Sequence, residues 1–166
     1  MLDLFHAKLS ASNTGLAPLW SQTDVEVRET FVTLLGQYKI AGGASHELWA
    51  VGGGRYWDIS TGITLRPGFA AGQSGTIGDS WVDPVIGLRG RADLGERSFV
   101  TGWALGGGFG LGSEHMIDLF AGVGYQFTPT TSAVLGYRWM SVDRRDGAFL
   151  FDVDTKGPVL GVTFRF

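Results

Sequence analysis

The residues best suited to chemistry are charged side chains that recur at alternate positions inside otherwise apolar segments. Arginine and aspartate placed in this way can pair with each other, because charges held away from water need partners. They can also line a path for ions or small solutes where the space between them is open. The sequence therefore predicts an internal charge network, with an ion path as the alternative. The set comprises Lys39, Arg55, Asp83, Arg89, Arg91, Asp93, Asp118, Arg138 and Arg165.

Catalytic and metal-binding patterns are weak. Ser113-Glu114-His115 gathers the residue types of a hydrolase, but sequence neighbours do not converge as nucleophile, base and orienting group. The histidines, His6, His46 and His115, do not form a pair at metal-ligand spacing, and cysteine is absent. We therefore predict no enzymatic activity, no cofactor and no metal.

The elements that position these charges are β-strands, because apolar and polar residues alternate with a period of two. Glycine is abundant, with 27 residues, and it lies inside the alternating segments, which disfavours long helices. No helical stripe of useful length competes. About eight strands are predicted, at 2–10, 25–40, 47–60, 81–94, 99–109, 116–127, 132–142 and 149–166, the last with a possible break near Gly157.

The predicted connections alternate in length, with tight turns at 40–46, 94–98 and 127–131 and longer connections at 10–23, 61–80 and 143–157. Short turns at one end and longer loops at the other are typical of outer-membrane barrels. One domain over residues 1–166 is predicted, because the chain is too short for two domains of ordinary size.

The two faces of each predicted strand differ in chemistry. From Met116 to Phe127, Leu119 and Val123 share one face, whereas Asp118 and Gly122 share the other. An Arg or Lys on the lipid face of a membrane barrel costs about 2–4 kcal/mol at the bilayer centre, so a barrel in lipid must turn its charges inward. Trp103 and Leu105 also fall on the predicted inner face, where the sequence does not reveal what they pack against.

Composition agrees with a membrane barrel. Charged residues make up only 17% and hydrophobic residues 44%, and no stretch approaches 18 consecutive apolar residues, so a membrane-spanning form must use strands. A net charge of −3 gives no attraction for nucleic acid. Aromatic side chains on the outer face lie near predicted strand ends, as expected at membrane interfaces. They are Tyr38, Tyr56, Tyr125, Phe127, Trp139, Phe164 and Phe166.

The C-terminal strand, Gly157 to Phe166, ends on a glycine followed by two aromatics at alternate positions. This ending resembles the signal recognised by the outer-membrane assembly machinery of Gram-negative bacteria. Five segments together resemble a family of small, largely uncharacterised bacterial outer-membrane β-barrel proteins, and the resemblance covers nearly the whole chain. The segments are Gly54-Arg-Tyr-Trp-Asp58, Trp81-Val-Asp-Pro-Val-Ile-Gly-Leu-Arg-Gly-Arg91, Gly107-Gly-Phe-Gly110, Ala121-Gly-Val-Gly-Tyr125 and Leu135-Gly-Tyr-Arg-Trp139.

The resemblance implies an antiparallel, up-and-down transmembrane β-barrel in the bacterial outer membrane, and it carries over no catalytic residue. Members of this type have a signal peptide and two further strands, so we expect an N-terminally truncated chain and ten strands in an intact protein. The expected partners are outer-membrane lipid, lipopolysaccharide and the assembly machinery, and nucleic acid is not expected. The charged segments 143–146 and 152–154 are either solvated surface or contacts for lipopolysaccharide phosphates or divalent ions.

The predicted function is a structural or membrane-integrity role, with the barrel lumen filled by the Arg/Asp network. A narrow pore is the first alternative, because Gly87, Gly122, Gly124, Gly136 and Gly161 would free interior volume. A soluble, lipocalin-like ligand-binding barrel is the second. That alternative needs a polar outside and an apolar inside, the reverse of the predicted arrangement.

Overall fold

The computed structural model describes residues 2–14, 20–147 and 149–164. Eight β-strands account for most of them. No helix in this part of the chain is long and apolar enough to cross a lipid bilayer. The strands are β1 (Leu2–Asn13), β2 (Trp20–Gly42), β3 (His46–Pro67), β4 (Gln73–Asp93), β5 (Ser98–Gly107), β6 (His115–Thr128), β7 (Thr131–Asp146) and β8 (Phe149–Phe164).

Each strand is hydrogen-bonded to its neighbour in sequence, and the strand order runs from β1 to β8 without a crossover. The pairs from β4 to β8 are antiparallel and in continuous register over most of their length. This is the connectivity of up-and-down β-barrels. The predicted all-β, antiparallel, up-and-down fold with eight strands is confirmed.

The three predicted tight turns are confirmed, and local chemistry explains them. In the β6–β7 turn, the Thr128 hydroxyl accepts hydrogen bonds from the backbone N–H groups of Thr130 and Thr131, at 3.3 and 3.0 Å. A threonine hydroxyl that binds backbone a few residues later stabilises a turn in place of a strand. The β4–β5 turn is closed by the Leu94 N–H, which donates to the carbonyl of Ser98.

The predicted long connections are largely wrong. Most of 61–80 is strand, because β3 continues to Pro67 and β4 begins at Gln73. Likewise, 143–157 is almost entirely strand, since β7 continues to Asp146, and Gly157 pairs with Arg138 without a break. These segments are polar or rich in glycine, and backbone pairing does not require a continuous apolar face. Of the predicted connection 10–23, residues 15–19 lie outside the described part of the chain.

The chain divides into two compact units. The first unit contains Leu34–Gly54 and Asp83–Phe166, and the second contains Leu2–Thr33 and Arg55–Val82. Strands β2, β3 and β4 contribute residues to both. The expectation of a single domain stays a prediction.

Each unit buries its own set of side chains. In the first unit, Val85, Phe99, Leu105, Met116 and Met140 are among the buried apolar residues. The second unit has an aromatic row instead. Phe5 stacks on Phe31 at 4.9 Å between ring centroids, Phe31 packs against Trp57 at 4.9 Å, and Trp57 stacks on Trp81 at 5.8 Å. Aromatic residues on neighbouring strands bury large areas, which stabilises the sheet.

Candidate functional site

The buried face of the first unit contains an ion pair that holds an aromatic ring. Arg138 donates two hydrogen bonds to the fully buried Asp118, at 2.9 and 2.6 Å. The indole N–H of Trp103 donates to the same carboxylate at 3.0 Å, and its ring stacks on Phe120 at 4.2 Å. The cross-strand register places these side chains together, since Trp103 lies opposite Phe120 and Phe120 lies opposite Arg138. The unexplained Trp103 thus packs on Phe120 and hydrogen-bonds to Asp118.

Asp83, another of the predicted charges, anchors a connection. This fully buried carboxylate accepts hydrogen bonds from the backbone N–H and the hydroxyl of Ser113, at 2.6 and 2.7 Å. The β5–β6 connection that it holds contains three consecutive residues of positive φ: Gly108, Phe109 and Gly110. Phe109 is not a glycine, so its backbone conformation is uncommon and requires such anchoring.

The remaining predicted charges of the first unit also have partners, and Arg91 pairs within the predicted set. Arg91 binds Asp93 at 2.9 Å, and its guanidinium lies 3.5 Å from the centroid of the Phe99 ring. Lys39 pairs with Glu47 at 2.6 Å.

Arg89 is also on this face. Its guanidinium lies 3.4 Å from the side-chain oxygen of Gln37 and 5.7 Å from the centroid of the Trp49 ring. Cation–aromatic contacts of this kind are favourable when they are partly desolvated.

Arg55 belongs to the second unit and is fully buried. Its Nε donates to the Thr33 hydroxyl at 2.7 Å, and its guanidinium lies over the rings of Phe31 and Trp57, 4.6 and 5.5 Å from their centroids. Two rings of the aromatic row therefore pack against a buried cation. Arg165, the last of the predicted charges, lies outside the described residues.

Large side chains occupy the space next to several interior glycines of the first unit. A side chain at Gly122 or Gly136 would meet the Phe120 ring, at 2.9 and 2.6 Å from the added Cβ. A side chain at Gly124 would collide with the ring of Phe99, and one at Gly87 would collide with the backbone of β5. Four of the five glycines that we expected to leave interior volume free thus make room for packed rings or for a close backbone approach. At the fifth, Gly161, an added Cβ would meet nothing within 4 Å.

The opposite face of the first unit exposes large apolar side chains in rows. One row crosses five strands through Ala92, Val100, Val123, Leu135 and Leu160, each opposite the next in the register. Of these residues, Val123, Leu135 and Leu160 are exposed by 59, 64 and 74%. Contiguous exposed apolar surface of this extent is unusual for a soluble monomer and marks a surface that contacts something apolar.

The exposed face changes from apolar to polar along several strands. On β7, Trp139 is followed two residues later by Ser141, and on β8 the exposed Pro158 is preceded by Lys156. Trp139 pairs with Lys156 and Ser141 with Asp154, so the two changes occur at nearly the same level. In the second unit, the exposed face of β1 changes from apolar at Leu4 to polar at His6. His6 Nδ1 lies 2.8 Å from the Thr30 hydroxyl.

The predicted interface aromatics are exposed wherever the structure describes them. Tyr56 and Trp139 are the last apolar side chains on their faces before the polar part of the strand. Tyr125 packs edge-on against Phe127 near the β6–β7 turn, with ring centroids 5.2 Å apart. Tyr38 and Phe164 are exposed near other strand ends, and Phe166 lies outside the described residues.

A polar cleft of about 810 Å³ lies on the exposed face of the second unit. In it, Asp24 accepts hydrogen bonds from Arg66 at 2.6 Å, Ser12 at 2.8 Å and Gln22 at 2.7 Å. The hydrogen bond from Arg66, followed by that from Ser12, lowers the pKa of Asp24 below its ordinary value.

Glu26 forms the second charged group of the polar cleft. It binds Lys8 at 2.8 Å and Arg28 at 2.6 Å. The hydrogen bond from Lys8, followed by that from Arg28, lowers the pKa of Glu26. Sequence reasoning missed this cleft because much of its lining was interpreted as loop. Glu26, Arg28 and Thr30 alternate on one face of β2, and this pattern in the sequence could have indicated a polar strand surface.

The polar ends of β7 and β8 are richer in acid. Asp143 lies directly opposite Asp152, and Ser141 lies opposite Asp154. Arg145 binds Asp143 at 3.0 Å, and this hydrogen bond raises the pKa of the guanidinium above its ordinary value. Arg144 donates to the Gly112 carbonyl and so joins the hairpin to the β5–β6 connection.

The Ser113-Glu114-His115 segment does not carry the arrangement of a hydrolase in the contacts described. The Ser113 hydroxyl is buried and donates to Asp83, whereas His115 is exposed. Among residues 2–14, 20–147 and 149–164, no group of three or more potential ligands could hold a metal ion. The expectation that the protein is not an enzyme stays a prediction.

Comparison with protein-family models, with curated protein sequences and with solved structures found no match to this chain. The resemblance to small outer-membrane barrel proteins therefore stays a prediction from the sequence.

Proposed function

We propose that the protein is a β-barrel of the bacterial outer membrane with a structural, membrane-integrity role. The observation that carries the proposal is the division of chemistry in the first unit. Leu135 and Leu160 are exposed in apolar rows, while Asp118 and Arg138 are paired on the buried face. Lipid favours this arrangement, because hydrocarbon accepts apolar side chains and strongly disfavours charge.

The dimensions of the exposed face support a membrane location. A tilted membrane strand needs about 9–11 residues to cross the hydrocarbon core. On β6, the apolar exposed side chains extend from Ile117 to Phe127, with His115 just beyond. This segment has the length that a bilayer requires and ends in polar residues.

Side-chain packing on the buried face supports a structural role over a narrow pore. Phe120 covers Gly122 and Gly136, and Phe99 covers Gly124. Glycines that hold aromatic rings leave less space for a permeating ion. Single-channel steps in a planar bilayer containing the purified protein would contradict the filled interior.

The expected partners follow from the location. Lipid would contact the exposed apolar face, and the assembly machinery would engage the C-terminal strand, on which Leu160, Val162 and Phe164 are exposed. A soluble, lipocalin-like carrier is disfavoured because it would place these side chains inside.

The test compares two substitutions on the same face of β7. Leu135→Arg places a charge within the apolar rows, and Ser141→Arg places the same charge in the polar part of the strand. We expect Leu135→Arg to cost about 2–4 kcal/mol of stability in phospholipid vesicles, and Ser141→Arg to have little effect. Insertion is measured by quenching of tryptophan fluorescence with lipids brominated along their acyl chains. A native protein that stays folded in water without detergent would overturn the proposal.

A further inference from the structure

The polar cleft of the second unit has the chemistry of a binding site for a phosphorylated sugar. Strand alternation places its polar side chains on one face, which makes a surface of hydroxyls, carboxylates and the Arg66 guanidinium around about 810 Å³. Among them are the hydroxyls of Ser12, Thr64 and Thr76. Hydroxyl and carboxylate groups match the donors and acceptors of a sugar. Guanidinium groups match the oxygens of a phosphate.

The carboxylates hold the basic groups in position. Glu26 lies between Lys8 and Arg28, and Asp24 binds Arg66. The side chains of Arg28 and Arg66 are each 58% exposed, so their guanidinium groups are accessible to a ligand. A cation held in place loses less conformational entropy when it binds, and this preorganisation favours affinity.

The location of the cleft identifies the ligand, given the proposed function on which this inference rests. On β2 the exposed face is apolar at Val32 and Leu34 and becomes polar from Thr30 back to Gln22, and the cleft lies along this polar part. In an outer membrane, the groups just beyond the hydrocarbon would be lipid headgroups. We propose that the polar cleft binds the phosphorylated sugar headgroup of lipopolysaccharide through Lys8, Arg28 and Arg66.

Charge distinguishes this cleft from the β7–β8 hairpin, where the sequence first suggested lipopolysaccharide contacts. In the hairpin, Asp143 and Asp152 lie directly opposite each other and Asp154 is on the next exposed position. Residues 143–156 contain four aspartates and the three cations Arg144, Arg145 and Lys156, so this hairpin keeps an excess of negative charge, which disfavours phosphate. Arg66 lines the cleft with Asp24 and Glu26, and Lys8 and Arg28 bind Glu26. Three cations therefore accompany two carboxylates, which is the favourable sign for phosphate.

The experiment titrates the folded protein in detergent micelles with the bisphosphorylated glucosamine disaccharide that remains when all acyl chains are removed from lipid A. We expect the combined Lys8→Gln, Arg28→Gln and Arg66→Gln protein to bind at least tenfold more weakly by calorimetry. The matched control is Arg145→Gln, which removes a cation that is 64% exposed in the acidic hairpin and should leave the affinity unchanged. In the native protein, the amide NMR signals of Ser12, Thr64 and Thr76 should shift during the titration. This readout does not require the variant to fold.

Equal affinity of the native and triply substituted proteins would overturn the proposal. An equal loss in Arg145→Gln would also overturn it by showing nonspecific charge attraction. Equal binding of the disaccharide without phosphates would overturn it by showing that the phosphates are not recognised. Because the probe is water-soluble and the protein is in detergent, the result does not depend on bilayer insertion. A protein that inserts into vesicles but does not bind the probe disproves only the cleft. A protein that binds the probe but does not insert into vesicles disproves the membrane proposal, while the phosphosugar site remains supported.

Discussion

Two ion pairs of the molecule have the same shortest distance but differ in burial. Arg138 and Asp118, in the first unit, and Arg66 and Asp24, in the second, each have a shortest nitrogen–oxygen distance of 2.6 Å. The side chains of the first pair are 15 and 0% exposed, and those of the second are 58 and 25% exposed. The distance therefore does not predict which pair costs more stability when it is broken. Burial does, because a charge left without its partner in a dry environment cannot be solvated by water.

The difference assigns the two pairs different roles. Asp118 also receives the indole N–H of Trp103, so its loss would disturb a packed group of side chains. Asp24 and Glu26 instead hold basic groups toward solvent, where a ligand can reach them. The buried pair stabilises the packed group, whereas the exposed pair belongs to the cleft that we propose binds a ligand.

The largest effect is expected from Asp118→Ala, which leaves Arg138 partly buried without its carboxylate. Removing one member of a buried pair costs about 3–5 kcal/mol. Asp118→Leu combined with Arg138→Met removes both charges and should recover most of that loss, since an apolar replacement of a buried pair is often neutral. Urea unfolding of the protein in detergent micelles, followed by tryptophan fluorescence, measures both. A loss for Asp118→Ala no larger than that for Asp24→Ala would contradict the ranking by burial.

A smaller effect is expected from glycine substitutions that compare the packed and open regions. Gly136→Ala places a Cβ 2.6 Å from the Phe120 ring and 2.5 Å from the Ala121 carbonyl oxygen, so the ring and backbone must shift. Overpacking of this kind costs about 1–3 kcal/mol. The matched control is Gly75→Ala in the second unit, where the added Cβ meets nothing within 4 Å. The same urea titration measures both, and equal stabilities would show that the Phe120 side of the sheet is loosely packed.

Strand alternation alone was enough to predict much of the fold and part of the candidate site. It placed Leu119 and Asp118 on opposite faces, because the side-chain period of a strand is fixed by its backbone. The partners of the charges could not be predicted in this way. Trp103 meets Asp118 because the β5–β6 register brings them together, and that register is a nonlocal property. The polar cleft was not predicted, because strands that carry polar residues lack the alternating apolar residues by which strands are recognised in a sequence.

The smallest effect concerns the pH dependence of the exposed pair. The pKa of Asp24 lies below its ordinary value of 3.8, and that of Glu26 lies below 4.5. A carboxyl whose pKa is lower in the folded state binds protons more weakly there than in the unfolded state, so it stabilises the fold above the unfolded pKa. This contribution is complete above about pH 4.5 and is lost as the pH falls through the folded pKa values, below 3.8 for Asp24.

Carboxyl NMR titration in micelles should show the Asp24 pKa rising toward 3.8 in Arg66→Gln, because the hydrogen bond from Arg66 is the largest cause of the lowered pKa. The pKa of Glu26 should stay nearly unchanged. If the pKa values of both Asp24 and Glu26 rose in Arg66→Gln, the two carboxyls would titrate as one network. The buried pair would then have to be compared with this whole network and not with the Arg66–Asp24 pair alone.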